Sequence, residues 1–244
     1  MTGTIINIIA ILVGGVAGML FGARLSEKLK ATIIAGMGLF TAAIGIQMFL
    51  KTENPLVVLG ALILGALLGE WWDIESRLQD LGVWLEKRLS GNAQGGASSR
   101  FVRGFLTTSL LFCIGPMAIL GAISDGLSGD ASTLTIKSVL DGFAAMAFAS
   151  SLGVGVLFSA LPVFIYQGGI SLLAGQLNAI VTASMMAEMT ATGGVLLMAV
   201  CVSNLLELKK IRVGNFLPAL AVAPLIVFLI PIVQAWLFAW LGGG

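Results

Sequence analysis

Long apolar runs separated by short polar connections set the pattern of this chain. Runs of about 17–25 residues, the length a helix needs to cross the hydrocarbon of a bilayer, fall near Ile5–Ala23, Ala31–Leu50, Leu56–Trp72, Phe101–Ile123, Val139–Phe158, Leu161–Ala174, Ala179–Leu206 and Phe216–Leu241. They predict an all-α polytopic membrane protein with about eight transmembrane helices. A spanning barrel would instead show alternating segments of about ten residues. The sixth run is short for a crossing, which makes it tilted, re-entrant or broken; the seventh is long.

One segment breaks the pattern. In Asp73–Leu89, Ile74, Leu78, Leu81, Leu85 and Leu89 recur at helical spacing with charges elsewhere, which predicts an amphipathic helix on the membrane surface. Trp71, Trp72 and Trp84 would then sit at headgroup level. Ser90–Ser99 has the composition of a flexible linker. The chain therefore divides into 1–89 (three spans and the amphipathic helix), a 90–100 linker, and a five-span part at 101–244.

Composition agrees with a membrane location: 58% hydrophobic and 10% charged residues, with a mean hydropathy of +1.04. The first run has no basic segment before it, unlike a cleavable signal. The absence of His excludes imidazole catalysis and imidazole metal ligands. Cys113 and Cys201 lie in apolar runs and read as buried free thiols. A net charge of +1 gives no case for a nucleic-acid partner. Of the 13 Lys and Arg, 11 fall in connections on one side, namely Arg24, Lys28, Lys30, Arg77, Lys87, Arg88, Arg100, Arg103, Lys209, Lys210 and Arg212; Lys51 and Lys137 fall on the other. The positive-inside rule then puts both termini outside and the basic loops in the cytoplasm.

Gly36–Leu50 and Gly193–Leu206 look alike, and each follows a Gly-Gly helix, Gly14-Gly15 or Gly168-Gly169. If spans one to three match spans six to eight, the two triplets are inverted, an architecture recurrent in transporters. Small-residue spacing in any tight bundle gives the same appearance.

Glu188 is the leading candidate site residue. It lies in Val181–Val200 with Thr190, Thr192 and Gly193-Gly194 beside it. A carboxyl at bilayer depth persists where it is paired, protonated or hydrated, and such groups mark ion pathways. Thr190 and Thr192 would add hydroxyl ligands. If the span starts nearer Thr190, the carboxylate is interfacial. In the fourth span, Pro116 removes a backbone donor and frees a carbonyl near Phe112, as in the cation sites of broken helices. Ser109, Thr108 and Cys113 line up with it, a stripe that reads equally as a packing kink. Asp141 follows Lys137 by four residues, so it is an interfacial ion pair or an inward-facing ion ligand. Gln167, beside Gly168-Gly169, bonds across helices or faces a substrate. Asn7, Gln47 and Asn204 read as interhelical glue, Glu70 as structural, and Asp125 and Asp130 as solvated carboxylates of an outer loop, Ser124–Lys137.

Phe112-Cys-Ile-Gly-Pro-Met117, Asp141-Gly142, Gln167-Gly168, Glu207-Leu-Lys-Lys-Ile-Arg-Val-Gly-Asn215 and Gly36-Met-Gly-Leu39 carry a resemblance along the whole length. The chain resembles the YqgA/YdfK-like family of bacterial inner-membrane proteins, a domain-of-unknown-function family. The resemblance implies a multi-pass protein of the bacterial cytoplasmic membrane and brings no site residues with it.

The expected function is a transporter of a small solute or ion. It would be secondary or passive, because no Gly-x-x-x-x-Gly-Lys-Ser/Thr loop is present. The alternatives are a channel and a non-transporting sensor or accessory subunit. An enzyme is not expected, since no nucleophile–base pair is readable from spacing. No cofactor is implied beyond a coupling cation or proton, and the identity of any metal is open. The bilayer and the cargo are the expected partners, and Gly-rich faces allow a homo-oligomer.

Overall fold

The computed structural model describes the backbone of residues 1–90 and 96–241 and the side chains of 1–88 and 100–234. The described residues are helical throughout their ordered elements: α1 (Thr2–Gly22), α2 (Glu27–Phe49), α3 (Pro55–Trp72), α4 (Ile74–Ser90), α5 (Gly96–Cys113), α6 (Pro116–Ser128), α7 (Ser132–Leu152), α8 (Ala160–Leu172), α9 (Ala174–Ile180), α10 (Ala183–Val200) and α11 (Ala219–Leu241). Six segments are long and apolar enough to cross a membrane: Thr2–Gly22, Glu27–Phe49, Pro55–Trp72, Ser132–Leu172, Ala183–Leu205 and Val213–Gln234. Arg100–Cys113 with Pro116–Ser128, bent by 62°, would make a seventh. Their outward faces carry bare Leu, Ile and Phe side chains, among them Leu20, Phe21, Phe40, Leu67, Phe143 and Ile165. Such a belt requires lipid to cover it.

α1 and α7 run parallel with their backbones in direct contact. A Cβ added at Gly14 would lie 2.1 Å from the Gly142 carbonyl oxygen, one at Gly18 2.1 Å from that of Met146, and one at Gly22 2.4 Å from that of Ser150. Glycine every fourth residue thus lets two backbones touch. Gly3, Asn7, Ile11 and Thr4 share that buried stripe.

The 41-residue segment Ser132–Leu172 doubles back on itself. After α7 descends beside α1, a 3-10 stretch, Gly153–Ser159, starts the return. Leu157 packs on Gly15 and Gly168 lies beside Met1, so α8 runs antiparallel to α1. This explains the short sixth run: it is lengthened by seven 3-10 residues. At about 2.0 Å per 3-10 residue and 1.5 Å per α residue, the return leg reaches roughly 34 Å.

α10 runs antiparallel to α2, with Gly45 and Gly194 in mutual backbone contact, and α11 runs antiparallel to α3 through Gly65–Ala219 and Gly69–Asn215. The connections holding the 11 basic residues all lie at one end of this bundle, the basic end. The α2–α3 turn, Asp125 and α9 lie at the opposite end.

Two expectations are corrected by this arrangement. The fourth span is not one kinked helix: α5 stops at Cys113, and Pro116 occupies the first turn of a new helix, α6, where its missing N–H costs nothing. Ser124–Lys137 is not an outer loop, because α6 runs to Ser128 and α7 begins at Ser132. The amphipathic helix α4 also packs one side onto the bundle. Its Leu78 and Leu85 pack with Phe101 and Phe105 of α5, while Leu81 and Trp84 stay exposed. Of the 90–100 linker, residues 91–95 lie outside the described residues, and α5 is under way at Gly96.

Candidate functional site

Three buried carboxylates in the bundle hold helix starts. Glu188, 2% exposed, belongs to the second turn of α10 and lies level with the α2–α3 turn. Its Oε2 accepts from Thr52 Oγ1 at 2.7 Å, and its Oε1 accepts the N–H groups of Glu53 and Asn54, both at 2.8 Å. Those donors precede α3, so the carboxylate satisfies backbone groups that a helix start leaves bare. Asp125 does the same for α1: it is buried in α6, accepts the Gly3 N–H at 3.0 Å, and lies 3.2 Å from the Met1 amino group. Glu75 of α4 accepts the Gly214 N–H at 2.7 Å just before α11, while Asn215 Oδ1 accepts the Glu75 N–H at 2.7 Å. Glu188 is therefore near one end of the bundle with both oxygens occupied, and not an open ligand at mid-depth. Asp125 is likewise not solvated. Asp130 is: it is exposed, and the Ser132 N–H donates to it at 3.0 Å, which holds its carboxyl below the usual value.

Asp141 is placed differently. It is the tenth of the 21 residues of α7, buried, and far from any helix start. Its Oδ2 accepts from Lys137 Nζ and from Asn7 Nδ2 at 3.0 Å. Asn7 Nδ2 also lies 3.3 Å from Gln167 Oε1. Asp141 and Lys137 are 8% and 6% exposed, and Asn7 and Gln167 are at 0%. α1, α7 and α8 thus converge on one ion pair and two carboxamides. Lys137 Nζ also sits 5.9 Å from the Phe112 ring centre, which brings the last turn of α5 into the cluster. The expected interfacial pair is in fact a buried one. A buried pair repays its desolvation only with well-made hydrogen bonds, and this one is incompletely dressed. Asn7 Oδ1, Gln167 Nε2 and the nearby Thr4 Oγ1 have no partner among the described residues. Unfilled donors and acceptors around a buried charge pair are what a site for a polar guest presents.

A second feature lies at the α5–α6 break. Gly115, Pro116, Ile119, Tyr166, Met189, Thr190 and Leu220 enclose a cavity of about 10 Å³, the size of about one water. Pro116 and Thr190 both line this cavity, and Glu188 does not. Cys113 is a free thiol in the last residue of α5, next to Phe112. Ser109 and Thr192 are buried with hydroxyls that find no partner among the described residues. Thr108 bonds its own helix at Gly104 O, 2.7 Å, the packing role. No group of three or more Cys, Asp or Glu side chains comes together among the described residues.

Asn7 is the residue sequence reasoning undervalued. Its position was the available signal: it shares the stripe of Gly3, Gly14 and Gly18, and that stripe must face protein.

Against known proteins, the family described as "Protein of unknown function (DUF554)" matches residues 2–228. The chain is 34% identical over 238 residues to a protein from Escherichia coli (strain K12) named "Uncharacterized protein YqgA", covering 98% of each chain. It is 30% identical over 234 residues to "Uncharacterized membrane protein YdfK" from Bacillus subtilis (strain 168), covering 94% of this chain and 97% of the other. No solved structure matches.

Proposed function

The chain belongs to the DUF554 family of proteins of unknown function, and we propose that this membrane protein is a secondary or passive transporter of a small solute or ion. The observation that carries the reading is the Lys137–Asp141 pair buried between α1, α7 and α8, bonded to Asn7 and bordered by unfilled carboxamide atoms. Intramembrane charge pairs are costly and are retained where charge is moved. A small cation, or a proton, would compete with the Lys137 ammonium for Asp141, and the Asn7 and Gln167 oxygens would act as neutral ligands. The α5–α6 break, with Pro116 and Thr190, would supply the unwound backbone of the pathway. Such sites lie near the midplane of transporters built from inverted repeats.

Three antiparallel pairs, α1 with α8, α2 with α10 and α3 with α11, support an inverted relation between the first and last three spans. Counting the broken α5–α6 unit once and the doubled-back segment twice gives about eight crossings. With the basic end in the cytoplasm, both termini face outward from a bacterial inner membrane.

The test is reconstitution of the purified protein in sealed liposomes, with fluorescent reporters of proton and sodium entry under an imposed potassium-diffusion potential. Flux above empty liposomes is expected, with Asp141→Asn lowering it by roughly tenfold or more, the loss for one charged ligand worth about 1.4 kcal/mol. Steps of unitary current in planar bilayers would replace the transporter by a channel. No flux of either ion, with wild type equal to empty liposomes, would overturn this cation reading.

A further inference from the structure

The basic end holds a larger cavity that the transport reading does not use. It measures about 450 Å³, and its polar lining is Glu27, Lys30, Arg100, Arg103, Ser151 and Glu207. A second hollow of about 230 Å³, sharing Lys30, Arg100 and Ser151, continues it toward the ends of α1 and α7. The first volume lies within the range of small-molecule sites, roughly 300–1,000 Å³.

Three cations face two carboxylates here, so the lining carries an excess of one positive charge. Arg103 is the organising residue. Its Nε donates to Asn204 O at 2.7 Å and its Nη2 to Leu205 O at 3.5 Å, the carbonyls of the π turn Cys201–Leu205. This fixes the plane of the guanidinium, and Nη1 pairs with Glu207. Lys30 pairs with Glu27 at 2.8 Å, while Arg100 approaches Glu27 at 4.0 Å. Lys30 and Arg103 are mostly enclosed, with side chains 16% and 29% exposed, whereas Glu27 and Glu207 are 75% and 59% exposed. Lys30 and Arg103 belong to the cavity wall, whereas Arg100, 55% exposed, lies at the rim with the two carboxylates. Glu207 also carries a backbone φ of 52°, a left-handed conformation that a long side chain rarely adopts and that is often stored at binding sites.

We infer that this cavity binds a small anion bearing a carboxylate or phosphate group, whose oxygens displace Glu207 from Arg103 and engage Lys30 and Arg100. A guanidinium held in plane suits such oxygens by two parallel bonds. The inference stands apart from the transport reading. The same chemistry is offered by a soluble anion and by an anionic lipid headgroup.

The test uses the full chain in nanodiscs of phosphatidylcholine, with unfolding followed by tryptophan fluorescence. Inorganic phosphate and succinate are titrated at ionic strength matched with chloride. A saturable rise in the unfolding temperature is expected. Arg100→Gln should weaken the apparent affinity about tenfold, as expected for losing one charge-assisted contact, while Glu207→Gln should strengthen it by removing the competing carboxylate. The gain in Glu207→Gln separates binding from general salting-out, which acts on all variants alike. In discs containing phosphatidylglycerol, a headgroup occupant would stabilise wild type without added anion, and Arg100→Gln would lose that stabilisation. The proposal is overturned if phosphate, succinate and phosphatidylglycerol all leave unfolding unchanged. It is equally overturned if their effects are the same in wild type, Arg100→Gln and Glu207→Gln.

Discussion

Glu188 and Asp141 are both acidic, both buried and both inside apolar helices, yet their surroundings give them opposite work. Glu188 faces the start of α3, where backbone N–H groups lack helix partners, and it takes three hydrogen bonds that hold a turn closed. Asp141 faces other side chains midway along α7, where the backbone is already satisfied and its partners are Lys137 and Asn7. The first arrangement leaves both oxygens occupied by groups that do not leave. The second holds a charge by another charge, with carboxamide atoms left over. Burial alone therefore does not separate a helix-capping carboxylate from one paired with a cation; the nature of its partners does.

The comparison is broken most violently at the scaffold under the Asp141 cluster. Gly18→Leu would drive a side chain into the Met146 carbonyl, which a Cβ would approach to 2.1 Å. Because the obstacle is backbone, it cannot turn aside, and the cost should exceed the roughly 1–3 kcal/mol of ordinary overpacking. The expected outcome is loss of monodisperse protein on size exclusion in detergent.

Next comes Glu188→Ala. It strips one charged acceptor from Thr52, Glu53 and Asn54 and should cost about 5 kcal/mol, the low end for three hydrogen bonds to a charged group at about 1.5–3 each. The check is thermal unfolding; transport per folded molecule should survive. Lys137→Met should cost about 3 kcal/mol by leaving Asp141 buried and unpaired. Lys137→Met with Asp141→Asn should recover most of that stability without recovering transport, as a double-mutant cycle of unfolding free energies would show.

Asp130→Asn is the smallest change. The Ser132 N–H lowers the folded carboxyl's pKa, so its stabilisation is present above the unfolded value and fades as pH falls through the folded one. A slight deficit in the unfolding temperature of Asp130→Asn at neutral pH should therefore vanish in strong acid.

Much of the fold was legible because the hydrocarbon imposes it. Run length marked the spans, basic residues marked one end, and glycine spacing along α1 marked its buried face. What escaped was set by tertiary contacts at helix ends. Pro116 could kink a helix or start one, and the residues around it do not say which; the structure starts α6 there. Asp125 reads as a loop residue until Gly3 is brought to it across 122 positions of chain. Glu188 reads as a lone charge in oil until the turn at Thr52–Asn54 is seen to need a partner. The sixth run reads as too short because hydropathy does not reveal that its entry is wound as 3-10. Asp141 and Gln167 were legible as candidates, but their meeting depended on α8 turning back along α1.

The most direct test puts the two carboxylates side by side. Glu188→Gln and Asp141→Asn each replace one oxygen by nitrogen, and each variant is measured for unfolding temperature and for liposome flux per folded molecule. The account predicts that Glu188→Gln lowers the unfolding temperature and keeps wild-type flux, while Asp141→Asn folds and loses flux. If Glu188→Gln abolishes flux in a fully stable protein while Asp141→Asn transports normally, the assignment of the two sites is wrong.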